Sequence, residues 1–168
     1  TMLHIKTVLT DRAGSVLAYN TLPIEVFEPV TAEEHDNVVL CGPYEPGQYE
    51  LAGETVTLKA CGMLPLHFAS RPMGHPIVRD FREKDISYWY DAKQDMITPL
   101  LNATFTAEGF TIVVTSSNKD ANGAWKPALA VGIKEYKGKY YVLSQLDLRT
   151  ENPAAKRLLK AIYDYTRS

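Results

Sequence analysis

The chain has 168 residues, 45% of them hydrophobic, and a formal net charge of −2. That suits one domain of ordinary size with a real core, not a disordered chain. The balance of charge leaves no basic footprint for nucleic acid or an anionic membrane surface. The longest apolar runs, such as Phe110-Thr111-Ile112-Val113-Val114, are far too short to span a bilayer. Two cysteines do not make a disulfide framework and read as buried free thiols of a reducing compartment. The opening Thr1-Met2-Leu3-His4-Ile5-Lys6 lacks the features of a signal peptide, and a cytoplasmic location is the expectation.

The first thirty residues read as β. Leu3, Ile5 and Leu9 share a parity, Asp11-Arg12-Ala13-Gly14 supplies a turn, and Val16 to Tyr19 can pair back. Leu22, Ile24 and Val26 alternate again before Glu28-Pro29. Two or three strands cannot bury a face alone. They pack on the rest of the chain, or they are the tail of a sandwich-like domain upstream. The expected division is therefore a β segment over 1–29 and an α/β accessory domain over 30–168.

From Asn37 to Cys41 a short apolar run ends at Gly42-Pro43, as a buried strand feeding a loop. Tyr49 to Leu51 and Val56 to Ala60 flank Ala52-Gly53-Glu54 and read as a hairpin. Leu66 to Ala69 is a further strand candidate, and Ile77 to Phe81 and Asp85 to Tyr90 fit short helical turns or extended segments alike. Phe110 to Ser116 reads as a buried strand. Ala128 to Tyr136 and Lys139 to Leu148 form a second hairpin across Lys137-Gly138. Asn152 can then cap a helix with Pro153 as its first residue, and Leu158, Leu159 and Ile162 fall at helical spacing. These three are expected to pack on a sheet that contains Ile112 and Val142. A sheet closed by a terminal helix indicates an α/β layer.

Several short pieces carry a resemblance. Cys61-Gly62-Met63, His67-Phe68-Ala69-Ser70-Arg71, Gly74-His75-Pro76 and Ser87-Tyr88-Trp89-Tyr90-Asp91 are similar to the C-terminal region of bacterial glycoside hydrolase family 2 proteins. So are Ile97-Thr98-Pro99-Leu100-Leu101, Leu143-Ser144-Gln145-Leu146-Asp147-Leu148 and Asn152-Pro153-Ala154-Ala155. The resemblance covers roughly residues 55 to 165. It implies a flavodoxin-like or class I glutamine amidotransferase-like sheet with covering helices, preceded by strands that resemble the end of an immunoglobulin-like region. The β-galactosidase-like members of that family cleave O-glycosidic bonds with an acid/base glutamate that follows an asparagine. No Asn-Glu pair occurs in this chain, and a (β/α)₈ barrel needs about 250 residues. The implied role is thus non-catalytic: a C-terminal accessory domain that packs on other domains of a parent glycosidase or on a second copy of itself.

Cys61 and His67 form a vestigial thiol site on this reading. An amidotransferase-like cysteine has glycines two positions to either side, where this chain has Lys59 and Met63, and the later His-x-Glu pair is missing because the last histidine is His75. A thiol without a base stays protonated and reacts poorly. The spacing of Cys61, His67 and His75 matches no zinc pattern, so no metal and no cofactor are expected. Gly74-His75-Pro76 reads as a turn fixed by Pro76. Tyr88, Trp89, Tyr90 and Trp125 are the candidate substrate-binding residues, since aromatic faces stack on sugar rings. The competing reading divides them between core and domain interface, because Trp89 in an extended stretch points away from its neighbours. Carbohydrate binding is the alternative function, and a cysteine-dependent amidotransferase-like enzyme the third.

Overall fold

The computed structural model describes residues 1–60, 70–72, 74–82, 85–86, 89–91, 96–98, 101–119 and 122–167. The chain starts with a two-stranded antiparallel ribbon, β1 (Met2–Thr10) and β2 (Val16–Glu25). Asp11 builds its turn: Oδ1 accepts from the backbone N–H groups of Ala13 and Ser15, both at 2.8 Å. Gly14 closes the turn at φ 85°, a conformation that only glycine enters freely.

The main sheet follows. Its strands are β3 (Val38–Cys41), β4 (Gly47–Leu51), β5 (Glu54–Ala60), β6 (Ser70–Pro72), β9 (Ala103–Thr106), β10 (Thr111–Lys119), β11 (Trp125–Tyr136) and β12 (Lys139–Ser144). The hydrogen-bonded order is β3-β12-β11-β9-β5-β4, with β10 joined to β11 and β6 to β10. A separate small ribbon pairs β7 (Trp89–Asp91) with β8 (Met96–Thr98). Helix α1 (Pro153–Arg167) closes the chain.

Two tight turns set much of the register. Ala52-Gly53 joins β4 to β5 with φ of 50° and 77°, and Lys137-Gly138 joins β11 to β12 with 50° and 75°. Both central residues are left-handed, which matches the twist of the flanking strands. At the helix start Asn152 Oδ1 accepts from the N–H of Ala154 at 2.8 Å and of Ala155 at 3.4 Å. Pro153 gives up only an N–H that has no partner within a helix.

The sheet separates two apolar clusters. On one side Ala155, Leu158 and Ile162 of α1 pack with Val113, Val114, Val131 and Val142, together with Ile77, Val78 and Ile86. On the other Val56, Leu58, Phe105, Phe110, Leu129 and Leu143 form a second core. Val142 and Leu143 are consecutive and serve opposite clusters, as the alternation of a strand requires. Tyr49 of β4 stacks on Tyr44 in the loop after β3, centroids 4.5 Å apart. The two ends of the strand path therefore approach each other, and the sheet is curled.

This corrects the expected α/β class. The structure is mostly β, with one long helix, and is not a flavodoxin-like or amidotransferase-like sheet with covering helices. Such a sheet repeats parallel strands through helical crossovers. Here β3 and β12 form the one parallel pair among the described strands, and the other pairings are antiparallel. The tight turns at Gly53 and Gly138 make hairpins where that fold would need crossovers. A second correction concerns the helix. Leu158 and Ile162 are fully buried beside Val142 as expected, but Leu159 is only partly buried and Ile112 is exposed on β10.

Candidate functional site

The C-terminal ends of a parallel strand pair are where an open α/β sheet keeps its reacting groups. In this chain that place belongs to β3 and β12, which run together from Val38 and Tyr140 to Cys41 and Leu143. Polar side chains do converge there: Cys41, Ser144, Gln145 and Arg149.

Each has a partner, and most of the partners are backbone. Gln145 Oε1 accepts the N–H of Tyr44 at 2.9 Å, and Nε2 donates to the carbonyl of the same residue at 2.9 Å. Arg149 donates from Nη1 to the Gly42 carbonyl and from Nη2 to the Leu40 carbonyl, each at 3.1 Å. Ser144 Oγ donates to the Leu146 carbonyl at 2.7 Å. Cys41 Sγ lies 3.8 Å from the Val39 carbonyl, a weak donor contact. Gly42 is required for this closeness: its φ is 87°, and a Cβ would stand 2.4 Å from the Ser144 carbonyl oxygen. The effect of all these bonds is to clamp the loop 42–46 onto the end of β12.

The electrostatics follow from burial. Desolvation raises the Cys41 pKa above its ordinary value, against the smaller lowering by the Tyr44 hydroxyl and the Arg149 charge. The thiol is therefore protonated at neutral pH and a poor nucleophile. Tyr44 is raised too, by burial first and then by Cys41. The cavity between Leu40, Cys41, Val142, Ser144, Leu146 and Arg149 is about 10 Å³, room for about one water and for no substrate. The arrangement holds a loop. It offers neither an activated nucleophile nor space for a substrate.

Of the residues singled out in the sequence, Cys61, His67 and Tyr88 lie outside the described residues. Trp89 and Tyr90 occupy consecutive positions of β7, opposite Thr98 and Ile97. Trp125 begins β11 opposite Lys119, in a different sheet. His75 is buried and caps the 3₁₀ turn Pro76–Val78, with Nδ1 accepting the Ile77 N–H at 3.3 Å. Its ring lies 5.0 Å from that of Tyr165, and burial lowers its pKa. A nitrogen already accepting a backbone hydrogen bond is not offered to a metal.

A second polar assembly went unnoticed in the sequence. The segment 26–37 runs along α1. The Arg157 guanidinium sits 3.9 Å from the Phe27 ring centroid and 4.7 Å from that of Phe81, with Asp85 at 3.7 Å. Further along, Arg167 pairs with Glu33 at 2.8 Å and with His35, and Asn37 Nδ2 donates to the Thr166 carbonyl at 3.2 Å. Nothing in the linear sequence marks contacts over such separations.

Comparison of the chain with protein-family models, with curated proteins and with solved structures finds no match. No described helix is long and apolar enough to cross a membrane.

Proposed function

We propose that this chain is a non-catalytic accessory domain of a larger glycosidase of the family 2, β-galactosidase-like kind, with a structural and domain-packing role. The family rests on the ordered series of short sequence resemblances given above. The non-catalytic role rests on one observation. The polar side chains at the ends of β3 and β12 bind backbone groups of their own loops. The buried thiol among them has its pKa raised rather than lowered. A site so engaged positions a loop and leaves no group to attack a substrate.

The test is an assay of the purified chain on aryl β-galactosides, aryl β-glucosides and glutamine. The expected result is no turnover above buffer, unchanged in Cys41→Ala and Cys61→Ala. Turnover lost in either variant, with the fold retained, would overturn the proposal. Saturable quenching of tryptophan fluorescence by sugar, lost in Trp89→Ala, would install the carbohydrate-binding alternative instead.

A further inference from the structure

Every exposed large hydrophobic side chain among the described residues lies between Met2 and Phe27, Ile112 excepted. The pairing register sorts those of the β1–β2 ribbon. Leu3 faces Ile24, Ile5 faces Leu22 and Leu9 faces Ala18, all on one side, interrupted only by Thr7 opposite Asn20. Leu3, Ile5, Leu9 and Leu22 are 52%, 48%, 61% and 58% exposed. The other side is mixed: His4 faces Pro23 and Lys6 faces Thr21, and the Lys6 ammonium lies 5.1 Å from the Tyr19 ring centroid.

The two outer edges differ as well. β2 carries Pro23, and its register is broken beside Leu17. Proline and bulges are the devices that stop an edge from pairing further. β1 runs for nine residues with neither proline nor glycine. It is the edge left able to pair.

We propose that β1 and β2 are two strands of a β-sandwich completed by an adjoining domain of the same polypeptide. The outer edge of β1 joins that domain's sheet, and Leu3, Ile5, Leu9, Leu22 and Ile24 cover its apolar interior. This rests on the accessory-domain reading and names the kind of surface the domain packs on.

The area selects a tethered occupant over a second copy. A nine-residue ribbon of two strands presents a face of about 30 by 10 Å, on the order of 300 Å². A stable interface takes about 800 Å² from each partner, so two copies meeting by this face fall well short. A partner on the same chain acts at an effective concentration near millimolar and holds with less area. The edge selects a sheet over a helix. A helix could cover the apolar face but would leave the backbone groups of β1 unpaired, whereas a sheet satisfies both.

The test is amide hydrogen exchange, run on the 168-residue chain and on the natural polypeptide that carries it, with mass measured by light scattering. The 168-residue chain is expected to be monomeric, with amides of β1 and β2 exchanging roughly 100-fold faster than those of β12. In the natural polypeptide every second amide of β1, those facing away from β2, is expected to gain protection of similar size. Ile5→Asp combined with Leu22→Asp should remove it and leave β11, β12 and α1 protected. Full protection of the ribbon in the monomeric 168-residue chain would overturn the proposal. So would a concentration-dependent dimer with protected ribbons, or a natural polypeptide with no domain adjoining the ribbon. Glycosidase activity of the natural polypeptide is read separately, so its absence would refute the family assignment while the exchange result stands.

Discussion

His75 and Cys41 show how burial sets chemistry one residue at a time. Burial lowers the His75 pKa, so the folded state holds fewer protons there than the unfolded state near pH 6. The stabilisation is complete above the unfolded value of about 6.5 and is lost as pH falls through and below it. Urea denaturation at pH 7.5 and 5.5 should show lower stability at the acid value, with the difference reduced in His75→Gln. An equal difference in the variant would assign the slope to other groups. Glu33 acts in a separate window, because the hydrogen bond from Arg167 lowers its pKa and its contribution is lost only below the ordinary carboxylate range. Cys41 gives the second prediction. With its thiol buried and held protonated, native-state alkylation at pH 7.5, resolved by peptide mass spectrometry, should be far slower than in urea. Equal rates in the two conditions would show the site open. The sequence showed part of each, Cys41 closing a buried apolar run before Gly42-Pro43 and His75 standing in a turn fixed by Pro76, but not the groups around them. A buried thiol and a reactive one look alike there, and the environment that separates them is assembled from β3, β12 and the loop beyond it.

At the scale of elements, the local signals were the readable ones. Turns at Gly14, Gly53 and Gly138, the Asn152 cap and Pro153 are short-range chemistry, and the structure has each where the sequence put it. Strand β9, in the middle of the sheet, had no such mark. Ala103, Thr104 and Phe105 are all buried, so no alternation announces a strand. The helix face differs by one residue from the expected one: Leu159, about 100° round the helix from Leu158, is only partly buried, whereas Leu158, Ile162 and Tyr163 are buried. The consequence is measurable. Leu158→Ala should cost about 2–5 kcal/mol, since it empties a fully buried position. Leu159→Ala should cost clearly less, and equal losses in chemical denaturation would contradict the packing. Gln145→Ala belongs to the same scale. It removes the partner of both backbone groups of Tyr44 and should cost about 1–3 kcal/mol in chemical denaturation.

For the whole molecule the question is what joins the amino-terminal ribbon to the rest. The α/β expectation came from a sheet closed by a terminal helix and from the family resemblance, and it failed because the strands between β3 and β12 pair antiparallel rather than through helical crossovers. Residue-scale signals cannot show how a sheet closes. The segment 26–37 is the joint: Phe27 stacks on Arg157 near the start of α1, and Glu33, His35 and Asn37 bind near its end. Those contacts belong to the body of the domain, whereas the side chains of β1 and those of Val16 to Pro23 in β2 are exposed. A chain beginning at Val26 should therefore fold with nearly the melting temperature of the 168-residue chain. Shortening the joint itself should matter more. Phe27→Ala removes one aromatic face from a guanidinium that also contacts Phe81 and Asp85, at an expected cost of about 0.5–2 kcal/mol. If deleting residues 1–25 lowered the melting temperature more than Phe27→Ala does, the ribbon would be part of the domain's own core. The division at the joint would then be wrong.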